Sequence, residues 1–187
     1  MEVPSQSAWK SFKAVANGKH QLASWTLWRA LQVAAKHAKH CEYAVIFEDD
    51  VIPKAHWEIA LKGLIKALTE VHGSAFILSL YRAGLRPPAL GQRSIGYGRY
   101  PINSFFGTQA MCYPMAVLPR LIDYIYRMSI AAYNNPYDIV VGRFTQEMNI
   151  PLIFSVPSLV QHIGTQTTGL GTFHQSGYTL SQDHLKQ

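Results

Sequence analysis

The chemistry of this chain is concentrated in an acidic run, Glu48-Asp49-Asp50, which directly follows the apolar run 44–47. Three neighbouring carboxylates repel one another, so a buried strand that delivers them to one point needs a compensating cation there. An isolated acidic triplet is more often a solvated turn, but the apolar residues before this one favour the end of a core strand. Carboxylate oxygens suit Mg²⁺ or Mn²⁺, which also bridge diphosphate oxygens. The run therefore predicts a site for a divalent metal and a diphosphate.

A histidine, His162, lies at the end of another apolar segment, more than a hundred residues later in the chain. A lone histidine in such a place is more often structural than a ligand. Here a strand, the histidine and then Gly164 would bring the imidazole to an edge of the sheet. One imidazole beside carboxylates shifts the preference from Mg²⁺ towards Mn²⁺. We therefore expect Asp50 and His162 to approach one another.

Two further carboxylates and a long basic segment are candidates for other roles. Asp138 lies in the first turn of a predicted helix, where a negative charge also complements the helix dipole, and Glu147 lies near the end of that helix, where the dipole disfavours it. The segment 82–107 is rich in arginine, glycine and proline, and Arg82 could contact phosphate there, although a solvated basic loop is the alternative. Gly107 could allow a close backbone approach to a sugar.

The elements that position these residues alternate along the chain. Apolar spacing predicts strands at 43–47, 75–80, 109–113 and 152–156, and helices at 23–39, 56–71, 115–128 and 137–148. Residues 51–53 are expected to turn the chain away from the first strand. This alternation predicts an α/β fold with a mostly parallel sheet flanked by helices, in a single domain over 1–187. Ligands of such sheets bind beyond the carboxyl ends of the strands. The glycine-rich tail after about 171 is expected to be mobile.

Composition narrows the class of protein. With 187 residues, 48% hydrophobic and 15% charged, the chain is long and apolar enough for one globular domain. A net charge of +6 favours phosphorylated or polyanionic partners. Two cysteines argue against a disulfide scaffold. The sequence has no apolar run long enough to span a membrane and no signal-peptide pattern at its start, so we expect a cytoplasmic protein. It also lacks the phosphate-binding and nucleophile motifs of P-loop kinases and serine hydrolases.

The chain resembles glycosyltransferases of the GT-A fold in two segments, FEDDV at 47–51 and PSLVQHIG at 157–164. It resembles more narrowly a group of small, often phage-encoded transferases, and the resemblance runs from about residue 25 to 171. The resemblance implies that Asp50 binds the metal, that Glu48 and Asp49 approach the ribose or the metal's water ligands, and that His162 completes the metal shell. Only about twenty residues precede the first predicted helix, so the part that grips the nucleotide base is expected to be shortened.

The resemblance also implies an activity, namely the transfer of a sugar from a nucleotide-sugar donor to an acceptor hydroxyl with Mn²⁺ favoured over Mg²⁺. Asp138 would accept the proton of the acceptor, Glu147 is the second choice for this base, and the outcome would be inverting. Glu48, Asp49, Arg82 and Gly107 are the expected donor-binding residues. Glu48 is also expected to help Asp50 and His162 hold the metal.

The basic charge favours a hydroxymethylated pyrimidine in DNA as the acceptor, and a cell-surface saccharide of the lipopolysaccharide type is the alternative. Two other classes stay open at this point: a two-metal nuclease or phosphatase, and a non-catalytic nucleic-acid-binding module.

Overall fold

The computed structural model describes residues 19–37, 40–81, 96–101, 105, 107–131 and 135–163. The helices are α1 (Lys19–His37), α2 (Trp57–His72), α3 (Leu118–Ile125), continued by a π-helical segment (Tyr126–Ala131), and α4 (Tyr137–Glu147). The strands are β1 (Tyr43–Phe47), β2 (Val51–Pro53), β3 (Ile77–Ser79), β4 (Gly96–Arg99), β5 (Ala110–Pro114), β6 (Leu152–Val156) and β7 (Val160–His162). Every predicted strand and helix is present, with ends displaced by up to four residues. The turn predicted at 51–53 is wrong, because these residues form β2.

Among the described residues, the main sheet has five strands in the order β1-β5-β3-β6-β4. The fold is therefore mixed α/β, but the prediction of a mostly parallel sheet is wrong: β3 and β6 are parallel, whereas the other three neighbouring pairs are antiparallel. Strands β1, β3 and β6 do run in one direction, as the alternation of strands and helices predicts. Strand β5 lies reversed between β1 and β3, and β4 lies reversed beside β6, so most neighbours are antiparallel.

Helices cover both faces of this sheet. Alternate residues of β5 point to opposite faces, as in any strand, and all five are buried. Met111 and Tyr113 join the cluster that includes Leu31 of α1 and residues of α3 and α4, whereas Cys112 packs with α2 through residues such as Leu64. Burial of large apolar side chains at about 1.5–3 kcal/mol each is the main source of stability for these layers.

The acidic run and His162 lie at the same edge of the main sheet. Because β1, β3 and β6 run in the same direction, their carboxyl ends lie at this edge, together with the first residue of the reversed strand β5. A second, two-stranded sheet begins here, in which β2 pairs with β7 antiparallel and Val51 lies opposite His162. The predicted place of the acidic run, at the carboxyl end of a strand, is confirmed by Glu48, which directly follows β1. The prediction that this strand is buried is wrong, because only Ala44 of β1 is buried and its other residues are half-buried at the end of the sheet order. None of the helices in the described part of the chain is long and apolar enough to cross a membrane.

Candidate functional site

Asp50 and His162 are in direct contact. The Nε2 atom of His162 lies 2.9 Å from Oδ2 of Asp50, and the imidazole is only 8% exposed. The ring of Tyr81 packs beside this imidazole, with 6.1 Å between the ring centroids. The predicted approach of the two residues is therefore present, and their role as metal ligands stays a prediction.

The ladder between β2 and β7 produces this contact. It places Val51 opposite His162, and the backbone N–H of Ile163 donates to the carbonyl oxygen of Asp50 at 2.8 Å. At the start of β7, the N–H of Leu159 donates to the carbonyl oxygen of Leu80 at 2.7 Å, which ties β7 to the end of β3. The backbone thus fixes the histidine beside the acidic run.

The oxygen and nitrogen atoms of Asp50 and His162 are of the types that bind a divalent metal. Asp50 supplies carboxylate oxygens and His162 supplies an imidazole nitrogen, a mixture that suits Mn²⁺. Oδ1 of Asp50 is buried and has no hydrogen-bond partner among the described residues, so an acceptor oxygen is left for a cation. Within the described ranges, no group of three or more His, Cys, Asp and Glu side chains is arranged to hold a metal. A metal held by these two side chains would therefore need further ligands beyond them.

Glu48 is held by two hydroxyl donors rather than by the Asp50–His162 pair. The hydroxyl groups of Tyr137 and Thr108 both donate to its Oε1, at 2.7 and 3.1 Å. Burial raises the pKa of Glu48 and the nearby charge of Asp50 raises it further, while the two hydroxyl donors act in the opposite direction. The sequence predicted Glu48 at this place but gave no sign of its two partners.

Two tyrosine side chains, Tyr137 and Tyr113, lie close enough to Glu48 for its charge to raise their pKa values. Burial and the charge of Glu48 raise the pKa of Tyr137, so its hydroxyl remains protonated and donates to the carboxylate. Burial also raises the pKa of Tyr113, whose hydroxyl has no hydrogen-bond partner in the described part of the chain. The position of Tyr137, directly before the predicted Asp138, was the only sequence signal that could have pointed to it.

Asp138 and Gly107 lie together, although they were predicted for different roles. Oδ2 of Asp138 accepts the backbone N–H of Gly107 at 3.2 Å, and Oδ1 accepts the N–H of Ile139 at 2.7 Å. Gly107 has a φ of 85°, in the region that favours glycine, and the side-chain amide of Gln109 occupies the space that a Cβ would need. Oε1 of Gln109 is buried and has no hydrogen-bond partner among the described residues. The side chain of Asp138 thus anchors a tight segment before β5.

Three predicted residues do not join this group. Glu147 lies nine residues after Asp138 on α4, about 13 Å further along the helix axis at the usual rise per residue. Its carboxylate accepts the hydroxyl of Tyr124 at 2.7 Å. Asp49 is exposed in the turn between β1 and β2, and Arg82 lies outside the described residues, as does the tail predicted to be mobile.

An apolar cavity of about 650 Å³ lies at the other end of the β2–β7 ladder. Its lining includes Lys54, Trp57, Tyr97 and Leu159, but none of the acidic residues at the sheet edge. Burial lowers the pKa of Lys54. The backbone N–H of Lys54 donates to the carbonyl oxygen of Leu159 at the ladder end opposite His162, so this cavity is separate from the acidic edge.

The acidic edge combines carboxylate oxygens with one imidazole nitrogen. Glu48 and Asp50 provide the oxygens at the end of β1, His162 adds the nitrogen, and Asp138 is linked to them through Tyr137 and its contact with Glu48. Such a set can bind a cation with phosphate oxygens and can accept a proton from a hydroxyl group. In comparisons with known proteins, no protein-family model matches this chain and no curated protein matches it.

Proposed function

We propose that this protein is a metal-dependent glycosyltransferase that uses a nucleotide-sugar donor, built on a GT-A-like domain. The observation that carries the proposal is the 2.9 Å contact between Asp50 and His162 at the carboxyl end of β1, with an unpartnered buried oxygen on Asp50 among the described residues. A carboxylate and an imidazole brought together from residues 112 positions apart are difficult to explain by a solvated acidic turn. The resemblance in the segments 47–51 and 157–164 supports the same conclusion.

The acidic edge would bind the donor. Asp50 and His162 would hold a divalent metal, with Mn²⁺ favoured over Mg²⁺, and the metal would supply positive charge against the diphosphate leaving group. Glu48 would accept a hydrogen bond from a hydroxyl group of the nucleotide sugar. The oxygen available for this bond is Oε2, because Tyr137 and Thr108 both donate to Oε1. Asp49, which is exposed in the turn between β1 and β2, would lie beside the donor.

Asp138 would act as the general base. Each of its oxygens accepts one backbone N–H and retains capacity for a further donor such as an acceptor hydroxyl. As the proton passes to Asp138, the hydroxyl oxygen forms a bond to the anomeric carbon and the bond from that carbon to the diphosphate oxygen breaks. This single displacement inverts the anomeric configuration. Glu147 is not part of this proposal, because it lies about 13 Å away along α4.

A hydroxymethylated pyrimidine in DNA remains the favoured acceptor, in the cytoplasm. The net charge of +6 supports a polyanionic acceptor, whereas residues 82–95 of the arginine-rich segment, which include Arg82, lie outside the described residues. A saccharide of the lipopolysaccharide type is the alternative. Binding to DNA that weakens steeply with salt would favour the first acceptor.

The test is release of nucleoside diphosphate from a panel of nucleotide sugars. The protein is incubated with Mn²⁺, with Mg²⁺ or with excess chelator, and Mn²⁺ is expected to support at least as much turnover as Mg²⁺. Asp50→Asn is expected to lose turnover, and Asp123→Asn, which changes an exposed carboxylate paired with Arg127, is the control. Full turnover in excess chelator would contradict the proposal. Cleavage of DNA without use of any nucleotide sugar would favour a nuclease instead.

A further inference from the structure

We propose that Tyr137 is a positioning residue, which orients the carboxylate of Glu48 for the nucleotide-sugar donor. The inference rests on the proposed function and adds a residue that neither the acidic run nor the histidine segment indicates. It starts from the hydrogen bond between the Tyr137 hydroxyl and Oε1 of Glu48, whose two atoms lie 2.7 Å apart although the residues are 89 positions apart. The bond joins the first turn of α4 to the end of β1.

Two hydroxyl groups act on the same carboxylate oxygen. Thr108 donates to Oε1 of Glu48 at 3.1 Å, in addition to the bond from Tyr137. Two donors on one oxygen restrict rotation of the carboxylate, and both of these bonds leave Oε2 available for a further donor. A carboxylate held in this way presents its second oxygen in a fixed direction, which is what recognition of a donor hydroxyl requires.

These contacts close into a ring that also contains the proposed base. The Tyr137 hydroxyl donates a hydrogen bond to Glu48, and the next residue in the chain is Asp138. The carboxylate of Asp138 accepts a hydrogen bond from the backbone N–H of Gly107. The residue after Gly107 is Thr108, whose hydroxyl donates a hydrogen bond to Glu48 and so completes the ring. The first turn of α4 therefore positions both the carboxylate of Glu48, which would bind the nucleotide sugar, and the proposed base Asp138. Loss of the Tyr137 hydroxyl is expected to affect the donor side of this ring first, because that hydroxyl donates to Glu48, whereas Asp138 is held by backbone N–H groups.

Helix α4 provides a matched control at its other end. The hydroxyl of Tyr124 donates to Oε1 of Glu147 at 2.7 Å, the same pair of groups at the same distance. Glu147 is exposed and lies about 13 Å from Asp138 along α4. If the bond between Tyr137 and Glu48 served only the stability of the fold, loss of the Tyr137 hydroxyl and loss of the Tyr124 hydroxyl would have similar effects on melting temperature and on donor binding.

The experiment compares Tyr137→Phe with Tyr124→Phe. Both variants keep the aromatic ring and remove one hydroxyl group. Melting temperature and the dissociation constants of UDP-, GDP- and dTDP-sugars, and of the matching nucleoside diphosphates, are measured with Mn²⁺ by calorimetry. For the nucleotide sugar that the wild type binds, we expect Tyr137→Phe to raise the dissociation constant about tenfold, as for loss of a hydrogen bond to a charged group. We expect Tyr124→Phe to change it less than about twofold, at a similar melting temperature.

A second variant separates the possible failures. Glu48→Gln keeps an oxygen that can accept the Tyr137 hydroxyl but removes the charge, and it is expected to weaken donor binding at least as much as Tyr137→Phe. If Glu48→Gln weakens donor binding while Tyr137→Phe behaves like Tyr124→Phe, the positioning role of Tyr137 is overturned and the proposed function stands. If the wild type binds none of the nucleotide sugars, the proposed function is overturned and this inference with it. If Tyr137→Phe does not fold, donor binding by Thr108→Val decides: an unchanged dissociation constant overturns the inference.

Discussion

Nε2 of His162 lies 2.9 Å from Oδ2 of Asp50, across 112 positions of the chain. The contact depends on two short strands, because β2 continues from the acidic run and β7 ends at the histidine, and the two pair with Val51 opposite His162. The contact occupies Oδ2 of Asp50, whereas Oδ1 has no hydrogen-bond partner among the described residues and is the oxygen left for a cation. Metal binding at this pair can therefore be tested separately from any catalytic activity.

We expect Mn²⁺ to raise the melting temperature of the wild-type protein. A ligand present at about 100 times its dissociation constant stabilises the folded state by about 2.7 kcal/mol, and each kcal/mol corresponds to roughly 2–4 °C in a chain of this size. Asp50→Asn should remove most of the shift, because an amide is a much weaker ligand than a carboxylate. Asp123→Asn, on the exposed surface of α3, should retain it. An equal shift in Asp50→Asn and the wild type would exclude Asp50 as a metal ligand.

The pattern of apolar residues predicted the elements well because it reports burial directly. Strand β5 illustrates both its success and its limit: the residues 110–114 are all buried, as the apolar run indicates, but nothing in that run specifies the direction of the strand. Direction was inferred from alternation with helices, whereas the insertion of β5 between β1 and β3 and the reversed β4 beside β6 make three of the four neighbouring pairs antiparallel. A long-range insertion of this kind has no local sequence signal.

The candidate site was predictable where a side chain lies at or just beyond the end of a short apolar run. Glu48, Asp50 and His162 follow or end short apolar runs, and an edge of the sheet collects them. The partners of Glu48 were not predictable in this way, because Tyr137 and Thr108 belong to segments whose approach depends on tertiary packing. The side-chain contact of Asp138 with the backbone before β5 was missed for the same reason.

The two cysteines are expected to differ in reactivity. Cys41 is exposed, whereas Cys112 is buried in β5, and burial raises the pKa of its thiol to about 12. Because the thiolate is the reactive form, iodoacetamide at pH 8 should modify Cys41 in the folded protein and both residues in denaturant. Peptide mapping measures each site separately. Equal labelling rates for the two thiols in the folded protein would contradict the burial of Cys112.

The raised pKa of Cys112 also gives the sign of a pH effect on stability. A group that keeps its proton more strongly in the folded state contributes stability below its ordinary pKa, and this contribution is lost as the pH rises towards about 12. We therefore expect Cys112→Ala to lower the melting temperature at pH 8 through the cavity it creates, but to weaken the decline of stability above pH 9. Cys41→Ala, at an exposed position, creates no buried cavity and is the control for the effect at pH 8.

Two glycine-to-alanine changes should have opposite effects on stability. Gly107 has a φ of 85° and the Gln109 amide lies where a Cβ would be. Gly107→Ala should therefore cost about 1–2 kcal/mol or more. Gly63 lies inside α2 with nothing within 4 Å of a methyl group added there. Gly63→Ala should therefore stabilise the protein by about 0.5–1 kcal/mol. Chemical denaturation measures both, and a stabilising effect of Gly107→Ala would contradict the left-handed conformation of that residue.

Asp138→Asn separates a general base from a favourable residue at the start of a helix. Asn is nearly isosteric with Asp, and its remaining oxygen can still accept the N–H of Gly107 or of Ile139. As a base, Asp138 should contribute about 10²–10⁴-fold to sugar transfer, with donor and metal binding unchanged in the variant. As a helix-start residue alone it should contribute only about 0.3–1 kcal/mol of stability, and turnover should persist.

The matched control for Asp138→Asn is Glu147→Gln, which neutralises a carboxylate at the other end of α4 and should retain transfer activity. Rate, donor affinity and melting temperature are measured for both variants, because a base affects the rate alone. A parallel loss of donor binding and rate in Asp138→Asn would indicate that the ring through Gly107 and Thr108 had been disturbed. That outcome would count against a role of Asp138 in proton transfer.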